Sequence, residues 1–547
     1  MLIIIFSFLS ALSFCNDHQQ LVDLIEKGNY QPRKVFNLCK TKGLDCTYFK
    51  AKIFESEGNA GSAMDLYLRG AYYEDYLRLQ TYSGAEIEQI IKKYHIDDKK
   101  AAFYRGLSEY VKGNWTKAVD FFSVDILKDD MSSKFYLAYS YLMLGNNENA
   151  KKISRNRPET INILDQIEYK KLDALVLYAE NKQLEAKDLF IDVLRLKPND
   201  FISLKYLAHI YYRTGWFKKA EKIYGNLISK EWRDTELYYL LSERCEMRVR
   251  YLLFKEAVKD ANKIIKEYPN RKDFIAIFIS WLLEHDNLEL AKKYAEKLST
   301  PKTEYEKSLF AFINGLLDEF KLNDVDALAY FKKAYAFYPS QEYLESIKTA
   351  DSNLISMNED KYPKLDCSKY RVTSKVADSW NIESDIFGKS WPVNYSVEHR
   401  KDLFYVKLKI KFIYSSNINF EDRAKVWISS SQNIWSRYSS KLQIQNVPYD
   451  YSSSPYTMIN ILPWPSSFYS KRVTSHEWSV LTPPRTAAHE IGHLLGLDDE
   501  YYETDKRIID RNDSRYIGPR TSLMRNMLSG SPEKRHIHFL LSPIKCN

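Results

Sequence analysis

The chain has 547 residues, too many for one compact core, so two or more domains or a repeat array are expected. Hydrophobic residues make up 45% of the chain and charged residues 28%, which excludes global disorder. The formal net charge of +8 is a mild excess over this length, and no long Lys/Arg block occurs. The composition therefore gives little support to nucleic-acid binding.

The N-terminus carries an apolar run, residues 2–14, that is too short to cross a bilayer but fits the apolar region of a signal peptide. Ala11 and Ser13 are small residues at the positions required for cleavage before Phe14. We predict that residues 1–13 are a signal peptide and that the protein is exported, either secreted or held in the cell envelope. A lipoprotein signal using Cys15 ranks lower, because Phe14 is a poor residue before a lipidated cysteine. No later stretch is apolar enough to span a membrane.

Export would permit disulfides between the six cysteines. Cys39 and Cys46 are close enough in sequence to pair across a helical turn-back. Cys367 and Cys546 bracket the last 180 residues and are a second candidate pair. Cys245 lies in a helical stretch and is expected to be a buried free thiol.

Residues 17–350 are predicted to be helical, with a repeated small residue near the start of every second helix. The repeated residues are Ala118, Ala150, Ala186, Ala220, Ala257, Ala291 and Ala327, at spacings of 32, 36, 34, 37, 34 and 36. Turn-forming residues precede many of them by five positions: Gly113, Gly145, Asn181, Gly215 and Asp286, with Gly58 before Ala63 as an earlier unit. This pattern resembles the tetratricopeptide repeat (TPR), in which helix pairs stack into an all-α superhelix.

The resemblance implies a concave surface that binds a peptide or protein partner. The alternative is a scaffold that only spaces domains, and the sequence does not decide between them.

After a polar segment at 351–365, predicted to be a linker, the pattern becomes mixed α/β (α+β) over residues 366–547. Val406, Leu408, Ile410 and Phe412 alternate with lysines, which predicts a half-buried strand. Apolar residues at steps of three or four between 420 and 438 predict an amphipathic helix, and 441–447 and 456–462 are predicted strands.

The residues that indicate chemistry are TAAHEIGHLLGLDDEYY at 486–502. His489 and His493 are four positions apart on a predicted helix, so both imidazoles project from one face toward a single metal. Glu490 lies beside the first histidine, Gly496 is expected to end the helix, and Asp499 is placed to act as a third ligand.

This HExxHxxGxxD pattern resembles the metzincin zinc peptidases, and in particular the snapalysin-like variant with Asp in place of the usual third His. The resemblance covers about the last 180 residues. It implies a Zn²⁺ cofactor held by His489, His493 and Asp499, and a metzincin-like catalytic domain. It also implies peptide-bond hydrolysis by a metal-activated water with Glu490 as general base.

The metzincin resemblance also implies a methionine turn below the metal and an edge strand that pairs with extended substrate. Met524 is our choice for the turn, with Met527 second. Tyr456, Met458 and Asn460, in the predicted strand at 456–462, are the substrate-strand candidates. Tyr501 or Tyr502 is a candidate to support the oxyanion.

Other histidines receive structural interpretations. His476 precedes Glu477 but has no second histidine four positions later. His536 and His538 are expected to be structural or surface residues, and the alternative for either is to support the metal ligands or to contact substrate.

The sequence therefore predicts an exported zinc metalloendopeptidase whose TPR array recruits substrate or partner proteins. The competing hypothesis is a TPR-based interaction scaffold with a structural or inactive zinc domain. A third is a lipid-anchored envelope protein in which Cys15 survives in the mature chain.

Overall fold

The computed structural model describes most of the chain, and all statements below concern the described residues. These are residues 21, 25, 32–157, 163–230, 233–298, 300–353, 370–376, 379–384, 393–436, 438, 440–447, 456–463, 474, 476–497, 522–524, 526 and 529–546. The predicted signal peptide and most of the predicted linker at 351–365 lie outside them.

The chain divides into two compact units. The first contains Met1–Tyr212 and Trp216–Leu241, and the second contains Arg213–Gly215, Ser242–Trp464 and Lys471–Asn547. The second unit thus includes helices from the repeat region together with the C-terminal sheet.

The described part of the first unit is helical. Its helices are α1 (Pro32–Thr41), α2 (Cys46–Ser56), α3 (Ala60–Arg69), α4 (Tyr73–Tyr82), α5 (Glu88–Lys93), α6 (Asp98–Val111), α7 (Trp115–Phe122), α8 (Met131–Met143), α9 (Asn147–Arg155), α10 (Ile163–Ala179), α11 (Gln183–Leu196), α12 (Phe201–Arg213) and α13 (Phe217–Lys230). A disulfide joins Cys39 at the end of α1 to Cys46 at the start of α2.

Helix α14 (Asp234–Arg250) begins in the first unit and ends in the second. The helices that follow are α15 (Phe254–Glu267), α16 (Asp273–Glu284), α17 (Leu288–Ala295), α18 (Glu304–Phe320), α19 (Asp324–Phe337) and α20 (Gln341–Asn353). Cys245, in α14, is a buried free thiol as predicted.

The repeat period predicted from the alanines is confirmed by their burial. Ala63, Ala118, Ala150, Ala186, Ala220, Ala257, Ala291 and Ala327 are all fully buried. A Cβ added to Gly106 or Gly315 would come within 3 Å of the ring of Phe122 or Phe331, so the paired helices approach closely. Small residues at these positions allow that approach, and the helices form a TPR-like repeat array.

The turn inside each helix pair has a left-handed residue five positions before the buried alanine. The positive-φ residues are Gly58, Gly113, Gly145, Asn181, Gly215, Leu252, Asp286 and Leu322. Leu252 and Leu322 supply the turns that the sequence pattern did not identify. A leucine at φ 61° or 67° is strained, so surrounding contacts rather than local preference hold these two turns.

The C-terminal part of the second unit is a mixed sheet with helices. Its strands are β1 (Tyr370–Val376), β2 (Ser379–Ser384), β3 (Val393–Arg400), β4 (Leu403–Ile413), β5 (Ser440–Asn446), β6 (Thr457–Leu462) and β7 (Glu477–Ser479), and its helices are α21 (Glu421–Trp435), α22 (Pro484–Leu494) and α23 (Lys534–Leu541). Strands β1 to β4 form an antiparallel meander. Strand β4 also pairs in parallel with β5 and β6, and β6 pairs in parallel with β7.

Strand β4 has the predicted alternation. Val406, Leu408, Ile410 and Phe412 are buried, and the lysines between them face the other side. The buried face packs with α21, where the rings of Trp427, Phe412 and Trp478 lie 5.3 to 6.1 Å apart. This core supports the segment that leads from β7 into α22.

Among the described residues, no helix is both long and apolar enough to cross a membrane.

Candidate metal centre

Helix α22 carries the two predicted histidine ligands. Pro484 occupies its first turn, where the missing N–H removes no intrahelical bond. His489 is buried, and His493 follows one turn later on the same face. Their ring centroids are 4.8 Å apart. The helix thus brings both imidazoles to one place, as the spacing predicts.

Backbone carbonyls fix the orientation of both rings. The Nδ1 atom of His489 lies 3.0 Å from the Leu523 carbonyl oxygen, and Nδ1 of His493 lies 2.8 Å from that of Leu497. Because a carbonyl oxygen only accepts, both Nδ1 atoms donate. In a neutral ring this leaves the lone pair on Nε2.

The two Nε2 atoms face each other at 3.2 Å. Two lone pairs this close repel unless a cation or a shared proton lies beside them. Two zinc–nitrogen bonds of about 2.0–2.1 Å at a tetrahedral angle place their nitrogens about 3.3 Å apart. The pair of histidines therefore fits Zn²⁺, with each ring held by the carbonyl contact that is usual behind metal-bound histidines.

Gly496 ends the helix as predicted. The turn that it forms also positions the carbonyl that contacts the His493 ring. The φ of Gly496 is 96°, a conformation that side chains disfavour. The amide of Leu497 returns to the Gly492 carbonyl at 3.0 Å, which satisfies one of the last helical carbonyls. The same turn brings the Leu497 carbonyl to His493.

Met524, predicted for the methionine turn, is fully buried against α22. A Cβ added at Gly492 would lie 2.4 Å from the Met524 sulfur and 2.9 Å from the Trp435 ring. The glycine next to His493 therefore leaves the space that this methionine and this tryptophan fill.

Trp435 and His536 support this site. The sequence did not indicate this role for Trp435, whereas His536 was predicted to be a structural or surface residue, with a supporting role as the alternative. The indole N–H of Trp435, on α21, donates to the Ala488 carbonyl of α22 at 2.7 Å. His536 is completely buried and accepts the Glu533 amide at Nδ1, 3.0 Å away. Its Nε2 lies 3.5 Å from the Ser522 hydroxyl, which accepts the Met524 amide at 3.2 Å.

Glu490 lies between the two histidines on α22 and is buried, at 6% exposed. Asp499, the predicted third ligand, lies outside the described residues, as do Met527, Tyr501 and Tyr502. Within the described residues no group of three or more His, Cys, Asp or Glu side chains is arranged to hold a metal. The structure thus brings two of the three predicted ligands together.

The predicted substrate strand is not an edge strand over its whole length, which corrects the sequence interpretation. Strand β6 pairs with β4 from Thr457 to Asn460 and with β7 from Asn460 to Leu462. Asn460 therefore already pairs with both β4 and β7. The amide and carbonyl of Thr474 form hydrogen bonds with the carbonyl and amide of Glu477, the first residue of β7, in an isolated antiparallel bridge.

The other predicted strand residues and cysteines are placed as follows. Met458 is exposed, and the Tyr456 hydroxyl accepts from Lys411 at 3.3 Å. The predicted Cys367–Cys546 pair lies outside the described side chains.

In the first unit, tyrosines on the first helices of successive pairs contact one another across neighbouring helices. The pairs are Tyr82–Tyr136 and Tyr139–Tyr206, with hydroxyls 2.9 Å apart, and Tyr178–His209 at 2.6 Å. Burial raises the pKa of Tyr136 well above its usual value. These hydroxyls bond within the array, so they stabilise it rather than form an open polar site.

No protein-family model matches the sequence, and no curated protein sequence matches it. Among solved structures the chain is similar to one titled as the crystal structure of the APC/C hetero-tetramer Cut9-Hcn1, with 12% identity and a TM-score of 0.27. That alignment covers 57% of this chain and 64% of the other, less than two thirds of its length. The buried alanines and the left-handed turn residues that recur with the repeat period, and not this weak likeness, indicate the TPR-like array.

Proposed function

We propose that the protein is an exported zinc-dependent metalloendopeptidase with a TPR-like array that recruits substrate or partner proteins. The observation that carries the proposal is the facing pair of Nε2 atoms on α22, with both Nδ1 atoms held by carbonyls. His489 and His493 would hold the metal, and the resemblance adds Asp499. When bound, zinc acts as a Lewis acid that makes water a competent nucleophile near neutral pH.

The protein's own residues would perform the proton transfers. Glu490, buried on the same helix between the two ligands, takes a proton from the attacking water and delivers it to the leaving amine. Met524 and the Leu523 carbonyl hold the floor of the site and the first ring.

The test is metal analysis of the purified full chain together with cleavage of casein and a peptide library. We expect about one zinc per chain and cleavage that a chelator abolishes and added zinc restores. A chain that binds no zinc, or that binds zinc without cleaving any library member, would exclude the peptidase.

The second candidate function is a protein-interaction scaffold, which the TPR-like helix pairs favour on their own. The intact Glu490 separates the two, because a purely structural zinc site does not need a general base. A zinc-loaded chain that binds partners but cleaves none of the library would support the scaffold.

A further inference from the structure

Three successive turns of the repeat array touch the sheet region within the second unit, close to α22. They are the turns at Gly215, Leu252 and Asp286, which are 37 and 34 residues apart and hold equivalent positions in their repeats. Each turn contacts a different residue: Asn419, Arg423 or Arg485. The periodicity of the array therefore produces a row of contacts.

The first contact, between the Gly215 turn and Asn419, leaves no room for a side chain at position 215. The Asn419 amide donates to the Thr214 carbonyl at 2.9 Å. A Cβ at Gly215 would lie 1.8 Å from the Asn419 carbonyl oxygen, and the glycine φ is 84°. Asn419 precedes α21, the helix that carries Trp427 and Trp435.

The second contact connects the array to the entry of α22 through one side chain. Arg423, on α21, is 3% exposed and donates to the Arg250 carbonyl at 2.6 Å and to the Thr482 carbonyl at 2.7 Å. Its guanidinium lies over the rings of Tyr251 and Trp427. Thr482 immediately precedes Pro483 and α22, and its carbonyl also accepts the Trp427 N–H at 2.9 Å.

The third contact acts on the first turn of α22 itself. Arg485 bonds to the Asp286 carboxylate at 3.3 Å and also to the Gly530 carbonyl. Gly530 bonds back to Asn526, just after Met524, so the segment below the histidines is tied to the same side chain. Arg485 thus joins the array, the histidine helix and the methionine segment.

We propose that three turns of the repeat array hold α22 in the register that metal binding and catalysis need, with Arg423 and Arg485 as the positioning residues at two of these turns and the Asn419 backbone as the contact at the third. A displacement of about 1 Å at a catalytic centre costs as much as a hundredfold in rate, so fixing the start of this helix matters for chemistry. The part that concerns zinc and cleavage rests on the proposed function. The part that concerns the order of α22 does not.

The test uses two variants of the full chain, each with a matched control. Asp286→Ala removes the carboxylate on Arg485, and Asn181→Ala is its control at an equivalent turn with φ 62°. Gly215→Ala adds a methyl group that clashes with the Asn419 carbonyl, so the turn must move away from Asn419. Gly145→Ala is its control, because its φ is 72° and nothing lies within 4 Å of the added Cβ.

The first readout is amide hydrogen exchange of residues 484–497 in metal-free protein. We expect exchange at least about threefold faster in Asp286→Ala and Gly215→Ala than in their controls. In zinc-loaded protein we expect faster zinc release to a chelator and a lower kcat with little change in KM. Asp286→Glu should restore all three.

Equal exchange rates in each variant and its control would overturn the inference, even if the protein proves to be a peptidase. If the wild-type chain binds no zinc, the proposed function fails while the exchange contrast still decides whether the array orders α22.

Discussion

In the proposed reaction, Glu490 would have a role that the neighbouring histidines could not take, because it could accept a proton without removing a ligand from the metal. We expect Glu490→Gln to keep full zinc occupancy and to lose cleavage by about a hundredfold or more, since the amide cannot act as the base. Zinc content and peptide turnover measured on one preparation check this. Near-wild-type turnover would contradict the assigned role.

The third ligand is a separate prediction at the scale of one residue. Asp499→Ala should lower zinc occupancy, because two histidines alone hold zinc weakly. Asp498→Ala and Glu500→Ala are the matched controls and should keep the metal. If Glu500→Ala were the variant that lost zinc, the register of the third ligand would be wrong.

We expect His285, at the end of α16, to make the second unit less stable in acid. Burial, together with the positive charges of Arg250 and Arg423, lowers the pKa of His285 to about 3, against the opposing effect of the hydrogen bond to the Trp281 carbonyl. Above pH 6.5 the His285 side chain is mostly neutral in both the folded and the unfolded chain. Below it the unfolded chain takes up a proton that the folded chain excludes, so stability falls as pH decreases toward the folded pKa.

We expect this effect to cost about 2 kcal/mol between pH 6.5 and pH 4.5. His285→Gln should remove it and keep a donor for the Trp281 carbonyl. The difference in urea midpoint between wild type and variant is the measurement. Parallel pH profiles for the two proteins would contradict the assignment to His285.

Helix α22 shows how an element is shaped by what packs on it as well as by its own sequence. Gly492 is unfavourable inside a helix, yet Met524 and Trp435 occupy the volume that a methyl group would take. We expect Gly492→Ala to destabilise the second unit by about 1–3 kcal/mol through overpacking and to weaken zinc binding. Thermal unfolding and chelator competition measure the two effects.

Gly225, in the middle of α13, is the matched control for Gly492, because nothing lies within 4 Å of a Cβ added there. Gly225→Ala should therefore stabilise the chain by about 0.5–1 kcal/mol, the usual gain in a helix interior. A destabilising Gly225→Ala would show that the contrast reflects something other than packing at Gly492.

The elements that the sequence could predict are those whose signal is local. The alternation in β4, the alanine period and the glycine that ends α22 each follow from burial or from backbone freedom. The turns at Leu252 and Leu322 could not be predicted, because leucine does not favour the left-handed region. The pairing of β6 with β7 could not be predicted from the sequence either, because β7 contributes only three residues.

The residues that support the candidate metal centre make contacts across long stretches of sequence. Trp435 bonds to a carbonyl 53 residues away, and Arg423 to one 173 residues away. A single sequence shows the spacing of His489 and His493, but nothing in it indicates that an arginine on another helix holds the start of α22.

At the scale of the whole molecule, the sequence boundary at 351–365 predicts that residues 366–547 fold by themselves. In the structure the same region receives contacts from Thr214, Arg250 and Asp286, within one compact unit. A fragment of residues 366–547 lacks all three. Loss of the charged hydrogen bond from Arg423 to the Arg250 carbonyl should alone cost about 1.5–3 kcal/mol.

We therefore expect the fragment 366–547 to unfold at a lower urea concentration than the fragment 200–547, which begins before α12 and keeps the three turns. Tryptophan fluorescence follows the transition, because Trp427, Trp435 and Trp478 are fully buried in the sheet region. Arg423→Lys provides the internal control. It should lower the midpoint of the longer fragment by more than that of the shorter one, because the Thr482 carbonyl is present in both and the Arg250 carbonyl only in the longer. Equal midpoints for the two unmutated fragments would mean that the array contacts add no stability and that residues 366–547 are an independent domain.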